Sequence, residues 1–112
     1  MKISQKNADY YSWGKQCDGW KFLEQSDLSV IYEKMPQNTC ESRHYHQNSR
    51  QFFFILTGQA VMELEGKSII LSSNDGIEVP PGSQHQIFNS SQESVEFLVI
   101  SSPSTKNDRV NL

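Results

Sequence analysis

From Leu28 onward the chain is a succession of short segments rich in Val, Ile, Phe and Met, each closed within a few residues by Gly, Pro, Asn or Ser. Segments of that length and punctuation predict the strands of an all-β sandwich or barrel. The candidate strands run from Leu28 to Lys34, Glu41 to His46, Gln51 to Thr57, Gln59 to Leu64, Lys67 to Leu71, Gly76 to Val79, His85 to Asn89 and Val95 to Ser101. Glu65-Gly66, Asn74-Asp75-Gly76 and Pro80-Pro81-Gly82 supply tight antiparallel connections. No stretch reads as a helix. Phe52 to Leu56 is apolar at every position, as expected of a strand covered on both faces. One face would look into the barrel, and the other onto a second sheet, the N-terminal arm or a second subunit.

Before the first strand, Tyr10, Tyr11, Trp13, Gly14, Gly19 and Trp20 stand in a polar setting without sustained periodicity. This predicts an irregular arm over residues 1–27 that packs its tryptophans onto the barrel of residues 28–102, followed by a polar tail over 103–112. With 112 residues the chain fits one domain, and at this length folding buries roughly two-thirds of the unfolded surface without disulfide staples. Thirteen acidic against ten basic residues give a net charge of −3 with the signs interspersed. No basic stripe recommends nucleic acid or an anionic membrane as partner. The start carries no apolar signal segment, and the longest apolar run is too short to span a bilayer. Cys17 and Cys40 have no C-x-x-C spacing and read as free thiols, which together with the missing signal points to a cytoplasmic protein.

The chain has three histidines, His44, His46 and His85. In a strand, side chains at i and i+2 point to one face, so the imidazoles of His44-Tyr45-His46 would project together, within reach of one metal ion. An exposed histidine pair in a loop is the plainer alternative for so short a motif. The polar run Gln47-Asn48-Ser49-Arg50 reads as a turn, after which Gln51 opens a returning strand beside the histidines. His85 follows a rigid Pro-Gly turn, where a half-buried histidine bonded to a carbonyl is again the plainer alternative.

These residues resemble the cupins, small β-barrel proteins of the double-stranded β-helix or jelly-roll class. The first cupin motif, G-x5-H-x-H-x3,4-E-x6-G, runs here as Asn38, His44, His46, Gln51, Gly58. The second, G-x5-P-x-G-x2-H-x3-N, runs as Asn74, Pro80, Gly82, His85, Asn89. Every spacing is kept, over about residues 28 to 101. Asn replaces the leading Gly of both motifs, a mild change, because Asn accepts a left-handed turn conformation.

The resemblance implies a divalent transition metal held by His44, His46, Gln51 and His85. Gln51 stands where the family has Glu; its carbonyl oxygen can ligate but brings no charge, so affinity should drop. Imidazole ligands suit Fe, Mn, Ni, Zn or Cu alike. Dioxygenase, isomerase and lyase chemistry on a small oxygen-bearing substrate all occur among such proteins. A non-catalytic small-molecule-binding module is the alternative, a purely structural metal a weaker one. The family commonly pairs its barrels, so a homodimer is expected.

Parity assigns the remaining side chains. Arg43 and Tyr45 should face away from the cavity, Phe53 and Ile55 should line it, and Phe52, Phe54 and Leu56 should pack outward. Met62, Phe88 and Phe97 read as core. Trp13 and Trp20 are expected to bury against a neighbouring sheet, with capping of a pocket as the alternative.

Overall fold

In the computed structural model, which describes residues 1–112, twelve strands form two six-stranded antiparallel sheets. The first sheet has the order β1 (Asp9–Trp13), β2 (Cys17–Glu24), β3 (Ser29–Met35), β11 (Val95–Ser102), β6 (Arg50–Thr57) and β9 (Gly76–Val79). The second has the order β12 (Arg109–Asn111), β5 (His44–His46), β10 (His85–Asn89), β7 (Gln59–Leu64) and β8 (Lys67–Ser72), with β4 (Thr39–Cys40) also pairing with β10. The chain crosses repeatedly between the sheets, which makes this the expected jelly roll. No helix is long and apolar enough to cross a membrane.

Period-two alternation decides what is inside. Along β11, Val95, Phe97, Val99 and Ser101 are buried while their neighbours are half-buried. In β6 the same alternation holds despite the unbroken apolar sequence: Gln51, Phe53 and Ile55 are buried, and Phe52 remains 41% exposed. The inner positions, with Met35, Met62 and Ile87 from the other strands, make one hydrophobic core. Each large side chain there contributes about 1.5–3 kcal/mol through removal of apolar surface from water.

The turn chemistry of the two motifs is visible in the backbone. Asn38 and Asn74 adopt φ of 59° and 71°, the left-handed region that Gly would otherwise supply. Gly58, which closes the first motif, has φ of 87°, and a Cβ there would lie 2.6 Å from the Ser94 carbonyl oxygen. Asn89, which closes the second, is buried; its Nδ2 donates to the Met35 and Glu93 carbonyls, and its Oδ1 accepts from Ser91. It thus locks the turn leading into β11.

Three expectations change. Residues 1–27 are not an irregular arm: they carry the β1–β2 hairpin, which extends the first sheet through β3. The strand expected from Glu41 to His46 is interrupted, with Glu41 to Arg43 lying between β4 and β5. The tail contributes β12, paired with β5 so that Arg109 faces His46 and Asn111 faces His44 in register. Both cysteines are free, Cys17 buried and Cys40 exposed.

Candidate metal centre

The second sheet brings the three histidines to one end of the sandwich. His44 on β5 is the direct cross-strand partner of His85 on β10, and His46 follows two positions on, pointing the same way. All three are buried, at 2%, 5% and 0% exposure for His44, His46 and His85. Their ring centroids lie 4.3 Å (His44 to His85), 5.0 Å (His44 to His46) and 5.9 Å (His46 to His85) apart. One nitrogen from each ring falls within 4.8 Å of the others, so the three could hold a metal ion.

Their hydrogen bonds fit that use. His44 Nδ1 lies 2.8 Å from the Ser42 carbonyl oxygen, and His85 Nδ1 lies 2.9 Å from that of Ser83. A carbonyl only accepts, so both Nδ1 atoms carry the proton and both Nε2 lone pairs are left bare. His85 Nε2 is buried without any partner, and so is His46 Nδ1. Burial is the main cause that pushes His44 down to about 3, His46 down to about 4, and His85 below its ordinary value. Nearby cationic character adds to the effect. At neutral pH all three imidazoles are therefore uncharged, the form that ligates metal.

Gln51 lines the same cavity as His44 and His46 from the opposite sheet. Its strand does return after the turn, but β6 pairs with β11 and β9 rather than β5. Gln51 is 6% exposed; its Nε2 donates to Ser101 Oγ at 3.1 Å, and its Oε1 has no partner. Pinning the amide nitrogen leaves the carbonyl oxygen as the free end. An unpartnered buried acceptor costs about 1–3 kcal/mol, a cost that a bound cation would relieve.

A cavity of about 240 Å³ is lined by His44, His46, Gln51, Phe53 and Val99, and also by Glu33, Glu41 and Arg109, which no sequence motif marks. Tyr11 and Trp13 enter from β1, Glu33 from β3, Glu41 from the break before β5, and Arg109 from β12. Trp13 thus takes the pocket-side alternative, while Trp20 lies between Tyr10 and Tyr32. Glu33 was detectable in principle, because it shares parity with the buried Ser29 and Met35. Arg43 faces away as expected, bonded to Glu63 at 2.6 Å.

Two devices hold the loops that flank the histidines. Gly82 N donates to the His46 carbonyl at 2.7 Å, tying the Pro-Gly turn before His85 to β5. Asp108, 8% exposed, accepts backbone N–H bonds from Gln47 (3.1 Å), Asn48 (3.1 Å) and Ser49 (2.8 Å), clamping the loop between His46 and Gln51.

Comparison with known proteins agrees with this architecture. The chain is 28% identical to the mannose-1-phosphate guanylyltransferase of Salmonella montevideo over 93 residues, which is 83% of this chain and 19% of that protein. It therefore spans about a fifth of that relative's length. KdgF from Halomonas sp. superposes with a TM-score of 0.83 at 19% identity, covering 93% of this chain and 94% of that one. Pac13, a nucleoside dehydratase from Streptomyces, does so with a TM-score of 0.84 at 16% identity, covering 100% and 90%. The Cupin domain family matches residues 31–101, which include both histidine motifs, and the chain belongs to that family.

Proposed function

We propose that this cupin is a divalent-metal-dependent enzyme that binds a small oxygen-bearing substrate in the cavity beside His44, His46, Gln51 and His85. The observation that carries this reading is the set of bare acceptors on one buried centre, namely neutral imidazole nitrogens and the orphaned Gln51 Oε1. A bound Fe, Mn, Ni, Zn or Cu ion would supply Lewis-acid polarisation of a substrate oxygen. The chain's own groups do the rest. The Ser42 and Ser83 carbonyls orient two of the rings, Ser101 orients Gln51, and Phe53, Val99 and Trp13 give the cavity an apolar wall.

Elemental analysis of the purified protein tests this reading. Near-stoichiometric transition metal is expected in the wild type and background metal in His85→Ala. Absence of metal after incubation with each of the five ions would favour the non-catalytic small-molecule-binding module instead. Gln51→Glu is expected to tighten divalent-metal binding by roughly tenfold, because it adds a charge at an existing ligand position. Titration against a competing chelator reads this directly, and weaker binding would remove Gln51 from the ligand set.

The assembly proposed is a homodimer through the outer face of the first sheet. Cross-strand partners there form an apolar row from Tyr10 through Trp20, Tyr32 and Leu98 to Phe54, with Val30, Ile100 and Phe52 beside it. Sedimentation at twice the chain mass is expected for the wild type. At the same concentration, Phe52→Asp combined with Ile100→Asp should sediment as a monomer that still binds metal.

A further inference from the structure

Two carboxyl groups face the metal-side cavity with no cation paired to either. Glu33 projects from β3, and its Oε2 accepts a hydrogen bond from the Tyr11 hydroxyl at 2.8 Å. Glu41 lies between β4 and β5, where its Oε1 accepts the Ile87 backbone N–H at 3.2 Å. The ion pairs of the chain involve Lys21, Arg43 and Arg50, none of them with these two groups. A carboxyl shielded from water with no cation beside it is driven toward its protonated form. Burial, only partly offset by the Tyr11 bond, pushes Glu33 up to about 7. Burial, reinforced by the Glu33 charge, pushes Glu41 up to about 8. Tyr11 favours the ionised form of Glu33, whereas the like charge of Glu33 favours the protonated form of Glu41. Arg109 acts on both from β12, Cys17 lies within electrostatic reach of Glu33, and His44 and His46 line the same cavity. The same cavity holds the buried, unpartnered Oε1 of Gln51, which marks it as a place for a ligand.

We propose that Glu33 and Glu41 are a catalytic base and acid for proton transfer at carbon, acting on a small carbonyl compound with a C–H bond next to its carbonyl. This rests on the metal-site reading above and narrows its reaction class. Glu33 removes the proton, the C–H electron pair becomes a C=C bond, and the carbonyl π pair moves onto oxygen, which takes the proton of Glu41. Glu33 is then protonated and Glu41 ionised, and the reverse transfers restore both groups. Two carboxyls that line one cavity from different segments of the chain, both driven toward the protonated form by burial, give this chemistry a proton acceptor and a proton donor.

The test follows exchange of the C–H protons of pyruvate and dihydroxyacetone by proton NMR in deuterium oxide, using the zinc-loaded full chain. Exchange faster than with free zinc is expected for at least one probe, with a bell-shaped pH profile. Glu33→Gln and Glu41→Gln should each slow it by about 100-fold or more, with zinc content and melting temperature unchanged. Tyr11→Phe should move the acid limb of the profile to higher pH, since it removes the bond that stabilises the Glu33 carboxylate. A zinc-loaded wild type that exchanges neither probe overturns the acid–base pair and leaves the metal site standing. Loss of zinc from both Gln variants makes the carboxyls structural and also overturns it. A wild type that binds no zinc defeats the metal-site reading, and the pair falls with it.

Discussion

Replacing His44 and His46 together by alanine should reduce metal content from near-stoichiometric to background while leaving a folded β protein. Both rings come from one three-residue strand and border the cavity, so their loss removes two of the three imidazoles that share the centre. Without metal, the same rings contribute little to folding. Each is a buried polar group held well below its ordinary proton affinity by burial, and His46 Nδ1 has no hydrogen-bond partner. Removing such a group relieves a desolvation cost of about 1–3 kcal/mol, which offsets much of the packing that is lost. The metal-free double variant should therefore lie within about 2 kcal/mol of the metal-free wild type. Phe97→Ala, at a fully buried site between the sheets, is the contrast, with an expected cost of about 3–5 kcal/mol. Metal analysis and thermal unfolding of the three proteins decide the matter. Unchanged metal content in the double variant would dismiss this centre.

Strand parity alone put His44 and His46 on one face, but grouping them with Gln51 and His85 as a ligand set came from the resemblance to the two cupin motifs, because neither the H-x-H triplet nor a histidine after a Pro-Gly turn excludes a plainer role. The left-handed Asn38 and Asn74 show why the motifs tolerate losing two glycines. The N-terminal hairpin was hidden for an equally local reason. Tyr11 pairs with Gly19 across β1 and β2, and a Cβ at Gly19 would sit 2.2 Å from the Tyr11 ring. The hairpin therefore has a glycine where alternation calls for an apolar side chain, and aromatic residues on both faces blur the period. Glu41 and Arg109 were beyond parity arguments altogether. One lies in a break between strands, and the other becomes a wall of the cavity only because the tail pairs with β5.

That dependence on the tail predicts the second large effect, from Asp108→Ala. The Asp108 carboxylate gathers three consecutive backbone N–H groups, those of Gln47, Asn48 and Ser49, in the loop that joins His46 to Gln51. Gln47 and Asn48 are exposed, so water replaces the carboxylate there at modest cost, but Ser49 is 1% exposed and its N–H would be stranded. Charge-assisted bonds to a carboxylate contribute about 1.5–3 kcal/mol each, and a stranded donor costs about 1–3 kcal/mol. A net loss of about 3 kcal/mol is therefore expected, which lowers the melting temperature by roughly 15 °C in a domain of this size. Metal affinity should fall by roughly 10–100-fold as well, because the loop sets the separation between ligand positions on opposite sheets. Asp108→Asn separates the two effects. Its amide oxygen still accepts one or two of the N–H bonds, so it should keep most of the stability, and affinity should recover in step if the clamp acts through geometry. An Asn variant with full stability and the metal affinity of the Ala variant would instead assign the effect to the carboxylate's charge near His46, whose proton affinity Asp108 raises.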